Sequence, residues 1–249
     1  MSNYFSNFPK ILYLFGDEIT PVAFQNLSKY IPLIDEIADE ISAYTEYTIT
    51  DFERPDSLSY KLYGSSKYDW TFFLMNDRIR EVGWPLSKQD AYTVATTRVY
   101  RDWVFKFDIS TADSSAEIGA LYPKGERISL AGREMIVKRK NLQTGEIYLY
   151  SPNSRLGFDS DFSGFEVVQD LDGDNQKPGN TVPEWAATHS YVDSANKPQD
   201  YFFWTGPPLT PKTNLEHFIE ENEAARTIRI IRADLIENVT GKFRALTGV

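Results

Sequence analysis

The chain has 249 residues, with 26 Lys and Arg against 36 Asp and Glu; the resulting net charge of −10 argues against a general nucleic-acid binder. Hydrophobic residues at 41% and charged residues at 25% are enough for buried cores, and the length allows one large domain or two to three small ones. Cys is absent and His189 and His217 are the only histidines, which disfavours disulfides, thiolate zinc, Cys nucleophiles and imidazole-rich metal sites.

In chain order, residues 8–16 read as a short strand closed by a turn at Gly16-Asp17. Residues 31–44 predict an amphipathic helix: Ile31, Ile34, Ile37, Ala38 and Ile41 share a face, opposite Asp35, Glu36, Asp39 and Glu40. Residues 45–52 alternate as a strand, and Arg54-Pro55-Asp56-Ser57 forms a turn. Asp56 or Ser57 is placed to cap a helix over 58–63 that Gly64 ends. A second helix is predicted over 68–80, and residues 92–108 alternate again.

From 113 to 170, β-formers and the turn pairs Lys124-Gly125, Ala131-Gly132, Thr144-Gly145, Leu156-Gly157 and Ser163-Gly164 predict strands at 127–131, 133–140, 146–151 and 164–169. Spacing this short suggests a small antiparallel barrel or sandwich. Residues 171–200 are rich in Asp, Asn, Gly, Pro and Ser and read as a long irregular connection. The tail predicts a helix over 215–224 capped by Asn214, a strand over 227–232 and an amphipathic closing helix over 233–246. Charge is uneven: 159–203 hold nine acids against two bases, and 226–249 hold five bases against two acids, so the tail is steered toward acidic surfaces.

The sequence shows no cationic and apolar leader and no run long enough to span a bilayer, so synthesis and first folding in a cytosol are expected. Asn26-Leu27-Ser28 and Asn238-Val239-Thr240 then match the glycosylation pattern by chance.

The chemical motifs are weak. Asp170-Leu171-Asp172-Gly173-Asp174-Asn175 places carboxylates at alternate positions like a calcium loop. Its sixth residue is Asn175 rather than Gly, and its twelfth is Thr181 rather than Glu, so an acidic turn is the better reading. His217 lacks a second His four residues on, where Glu221 stands. Asp159 and Asp161 are neighbouring acids in a turn, with little to mark them as a glycosidase pair. No Gly-rich phosphate loop occurs, and Lys138-Arg139-Lys140 reads as a solvated hairpin end. No catalytic residue, cofactor site or metal site is therefore assigned. The 14% aromatic share favours large contact surfaces as well as cores. Arg226, Arg229 and Arg232 in a short apolar strand suit either an interface or a charge-protected sheet edge. Leu235, Ile236, Val239, Phe243 and Leu246 form an apolar helical face that needs covering. With the arginines they are the candidate partner-binding residues, on a C-terminal arm.

Tyr47-Thr48-Ile49, the block Arg54 to Gly64, Tyr68-Asp69-Trp70 and Leu74-Met75-Asn76 together resemble a LysM module, a βααβ unit. That resemblance makes Tyr63, Trp70 and Leu74 core residues. A glycan-binding LysM carries Gly-Asp-Thr where Arg54-Pro55-Asp56-Ser57 stands here. The wider text is also similar to one family: Tyr4 to Lys10, Arg54 to Phe73, Asn76-Asp77, Gly83 to Ser87, Thr213 to Glu216 and Glu221 to Ile228 resemble the baseplate wedge subunit of T-even-type contractile-tailed phages, the gene product fifty-three family. The likeness covers 1–90 and returns over 210–246, while 113–205 looks like a family-variable insertion.

The resemblance implies a non-enzymatic virion protein of the tail baseplate, assembled in host cytoplasm. It would clamp wedge subunits and help join neighbouring wedges around the hub. Its partners would be other wedge proteins, with no nucleic acid, membrane or small-molecule substrate. A LysM-type peptidoglycan or chitin binder is the runner-up, and a glycan hydrolase using acids of the middle segment the third reading. The expected fold class is α+β. Residues 1–45 form an N-terminal strand and helix segment, 46–110 the LysM-like module, 111–170 a separate β-rich domain, 171–210 the irregular connection and 211–249 the C-terminal arm.

Overall fold

The structure, a computed structural model, describes residues 10–13, 22–25, 43–107, 120–130, 132–152, 167–173, 176–201 and 203–247. The fold is α+β, with a closed six-stranded barrel and separate small sheets. Its strands begin with β1 (Lys10–Tyr13), β2 (Val22–Gln25) and β3 (Tyr44–Thr48), and helices α1 (Pro55–Tyr63), α2 (Trp70–Met75), α3 (Asp77–Val82) and α4 (Lys88–Val94) follow. Next come β4 (Trp103–Phe107), β5 (Arg127–Leu130), β6 (Arg133–Asn141), β7 (Glu146–Tyr150), β8 (Val167–Asp170), β9 (Lys177–Pro183), β10 (Thr188–Val192), β11 (Pro198–Gln199) and β12 (Thr210–Thr213). The described chain ends with α5 (Asn214–Ala224), β13 (Thr227–Ile231) and α6 (Ile236–Thr247). Two compact units divide it: residues 1–87 with 222–249, and residues 88–221.

In the first unit β1 and β2 form an antiparallel hairpin, Lys10 opposite Gln25. The helix expected over 31–44 lies outside the described residues except at its end, where Tyr44 already opens β3. β3 pairs antiparallel with β13, Tyr44 opposite Ile231 and Thr48 opposite Thr227. Alternation turns Ile228 and Ile230 inward, and they pack with Ile49, Leu58, Phe72, Ile79 and Ala225. A second cluster joins Ala43, Tyr68, Met75, Ile231 and Ile236.

Helix α1 starts three residues before the sequence expectation, and neither Asp56 nor Ser57 is its N-cap. Arg54 holds the cap position in extended conformation, and Pro55 enters the first turn. Proline's fixed φ suits that turn, where its missing N–H costs no hydrogen bond. Gly64 closes the helix at φ 70, and its N–H donates to the Tyr60 carbonyl. The single helix expected over 68–80 is instead a 3-10 turn (Ser66–Tyr68), α2 and α3. The break is at Asn76, whose backbone is extended. Its side-chain amide donates to the Arg229 carbonyl at 2.8 Å, and its oxygen accepts the Arg229 N–H at 2.7 Å. One asparagine thus stands in for a missing strand beside β13.

In the second unit the alternation of 92–108 is only partly strand. Residues 88–94 are helical and Ala95–Val99 make a π turn; across the two, the hydroxyls of Thr93, Thr96 and Thr97 donate to carbonyls one turn back. β4 alone is extended. The small antiparallel barrel expected within 113–170 is present but larger, in the order β4-β7-β6-β5-β8-β9. β4 comes from before that segment. β9 comes from the stretch expected to be an irregular connection, which also supplies β10, β11 and β12. Gly179 explains why β9 was hidden: a Cβ there would lie 2.3 Å from the Lys106 carbonyl oxygen and 2.4 Å from the Phe105 ring. Glycine permits this close strand approach while looking like a turn residue in the sequence. The barrel interior holds Trp103, Phe105, Phe107, Tyr122, Ile128, Leu130, Met135, Val137, Ile147, Leu149 and Val168.

Candidate interaction surfaces

The C-terminal segment supplied the candidate partner-binding residues, and the structure separates them. Arg226 is buried and acts within the fold. Its guanidinium donates to the carbonyls of Ile49 (3.3 Å) and Leu86 (2.7 Å), to Asp51 (2.5 Å) and to Glu223 (3.1 Å). Arg229 is exposed, and its guanidinium lies 4.9 Å from the Tyr44 ring centre. Arg232 is exposed and forks onto the Asp234 carboxylate at 3.1 and 3.0 Å. Of these three arginines, Arg229 and Arg232 lie at the surface.

The apolar face of the closing helix does not await a partner: the protein's own core covers it. Ile236 and Phe243 are buried, and Leu235 and Val239 pack against the second cluster. The Phe243 ring sits 4.9 Å from that of Trp70. The side chain of Leu246 lies outside the described residues. Strand-pairing of β13 with β3 fixes the segment further, so it is part of a folded unit and not a free arm. Sequence periodicity had shown that the face needed covering, but not by which residues.

Of the expected core trio, Trp70 is buried and Tyr63 half-buried. The Tyr63 hydroxyl donates to the Ile231 carbonyl at 2.8 Å, and burial drives its pKa well above the usual phenol range. Leu74 is only half-buried; Phe72 and Met75 on the same helix and Ile79 on the next take the inner positions.

The second unit gathers polar groups that the sequence left apart. The imidazoles of His189 on β10 and His217 on α5 stack at 3.7 Å with 13° between their planes. Burial, then His217, Lys212 and Arg139, hold the His189 pKa below the ordinary imidazole value, against a smaller opposing pull from Glu221. Nearby, the Glu146 carboxylate is fully buried and accepts from Thr144 Oγ1 (2.9 Å), Tyr148 Oη (3.3 Å) and the Thr188 N–H (2.8 Å). Glu184, also buried, accepts the Asp102 N–H at 3.1 Å and has Arg139 at 3.6 Å. Arg139 lies 3.4 Å over the Tyr148 ring. Donors of the fold satisfy both carboxylates, which therefore act as clasps between β-elements.

The basic run is similarly engaged: Lys138 pairs with Asp102, and Lys140 donates to the Leu121 carbonyl at 3.0 Å. Asp170 to Gly173 lead out of β8 in a turn, and Thr181 is buried in β9. Asp159, Asp161, Asp174 and Asn175 lie outside the described residues. Among the described residues no cluster of His, Asp or Glu is placed to hold a metal ion, and no helix is long and apolar enough to cross a membrane. Two open hollows of about 220 Å3 each, one lined by Asn76, Asp77, Ile228 and Arg229 and one by Gln143, His189, Tyr191 and Tyr201, are smaller than sites that enclose a cofactor.

No protein-family model matches the chain, and no curated protein matches it either.

Proposed function

We propose that the protein is a structural, non-enzymatic component of a contractile-tail baseplate wedge, built on a LysM-like unit whose second strand comes from the C-terminal segment. One observation carries this reading. Most of the two separated stretches that resemble the wedge family, 1–87 of 1–90 and 222–246 of 210–246, falls in a single compact unit, residues 1–87 with 222–249, while residues 88–90 and 210–221 belong to the other. The dissimilar middle falls in the other unit. In chain order the first unit runs β3, α1, α2–α3 and then β13, with β3 and β13 antiparallel, which is the order of a βααβ unit with a long insertion before its last strand. Residues that carry the resemblance sit at its joints: Tyr63 and Asn76 bond β13, and Trp70 packs on Phe243.

On this reading the protein clamps wedge subunits and helps join neighbouring wedges in the virion. Its LysM-like unit then serves protein contact. The test is a paired binding experiment with purified protein: co-purification with the other wedge subunits of the same tail, and retention on insoluble peptidoglycan at moderate salt. Joining the subunits without retention is expected. Retention without joining would favour the LysM-type glycan binder.

A further inference from the structure

Between β3 and α1 the chain makes a four-residue turn, Thr50-Asp51-Phe52-Glu53, closed by the Glu53 N–H on the Thr50 carbonyl at 3.2 Å. Phe52 stands at its third position with φ 64. Glycine or asparagine takes that left-handed conformation at least cost, and a bulky aromatic is strained there. Its ring does not gain packing in exchange: Phe52 is 79% exposed.

The turn is held on every side. Arg226 donates to Asp51 and to the Ile49 carbonyl, and the Ile49 N–H donates to the Arg226 carbonyl at 2.9 Å. The Glu53 carboxylate accepts from the Thr50 N–H (3.2 Å), the Tyr47 hydroxyl (2.9 Å) and Lys61 (3.1 Å). The Trp84 indole N–H donates to the Glu53 carbonyl at 2.7 Å. Tyr47, Lys61, Trp84 and Arg226 thus fix from outside a strained backbone whose visible product is a phenyl ring presented to solvent. Strain that the surroundings over-determine marks a functional position, and a backbone already fixed loses little freedom on binding.

We propose that Phe52 is a preorganised anchor that inserts into an apolar pocket of a partner protein. The choice of partner, another subunit of the wedge, rests on the proposed function. A protein pocket fits better than a sugar. Reading hydroxyls requires free polar groups converging beside the ring, whereas Glu53, Arg226 and the Trp84 N–H are turned inward and occupied by bonds within the fold.

The decisive variant is Phe52→Asn, which suits the left-handed backbone and removes the ring, with Phe52→Tyr as the ring-retaining control. Thermal melts and binding to the purified wedge subunits are measured together. Phe52→Asn is expected to melt at or above the wild-type temperature, yet to bind about tenfold or more weakly, while Phe52→Tyr stays near wild type. A lower melting temperature for Phe52→Asn would show that the ring serves the protein's own fold and overturn the proposal. Unchanged binding by Phe52→Asn, with wild type joining, would overturn the anchor alone. Failure of the wild type to join would remove the wedge reading and the anchor with it. Ring-dependent retention on insoluble peptidoglycan would replace the protein pocket by a glycan.

Discussion

Single side chains do different work here from what their chemistry alone suggests. Arg226 looks like an interface arginine in the sequence, but its burial and four acceptors make it a structural tie. Truncating it leaves two carbonyls and two carboxylates short of a donor. Arg226→Ala is expected to cost about 3–5 kcal/mol, measured by denaturant unfolding, and a change below about 1 kcal/mol would remove it from this role. Trp70→Ala, which empties the space against Phe243, is expected to cost a similar ~3–5 kcal/mol. The histidine pair makes a pH prediction. The folded pKa of His189 lies below its unfolded value, mainly through burial, so between the two values the unfolded chain binds the extra proton. Stability is then full above the ordinary imidazole range and is lost as pH falls through it toward the depressed folded value. Replacing His189 by Gln should flatten this part of a melting-temperature profile relative to wild type. Parallel profiles would show that the stacked pair does not couple to folding. Neither histidine's proximity to the other was legible in the sequence, because 28 positions separate them and no local periodicity links a strand residue to a helix residue.

Among the elements, the hairpins were the most legible. Gly125 and Gly145 adopt φ 88 and 67, so the glycines that marked turns in the sequence mark them in the structure. β5, β6 and β7 follow from these turns within a residue or two of expectation. Where reading failed, a long-range partner overrode the local pattern. Asn76 breaks a good helical run because β13 offers its edge to the amide. Pro178, Gly179 and Pro183 spell irregular chain, yet β9 completes the barrel against β4. Asn76→Ala is expected to cost about 1–3 kcal/mol by exposing the unpaired N–H and C=O of Arg229, whereas a surface asparagine would cost almost nothing. Amide exchange at Arg229 checks the cause. Its protection should fall selectively in the variant, and unchanged protection would mean that the amide pairing is not what shields the strand.

For the whole molecule, the closing segment is the main lesson. Its apolar helix and basic residues fit a free arm in every local respect; the pairing of residues 227–231 with 44–48 and the burial of Ile236 and Phe243 rule this out. Deleting 226–249 removes β13 and α6 together. The first unit should therefore lose its cooperative unfolding, while the barrel of residues 88–221 keeps its own transition in calorimetry. Two surviving transitions would restore the arm. The proposed function also belongs at this scale, since it concerns what the assembled unit touches. It is tested most directly by sedimentation of the remaining wedge subunits with and without the protein. Addition of the wild type should convert separate wedges into a closed ring around the hub. Wedges that stay separate in its presence, or close equally well in its absence, would contradict it.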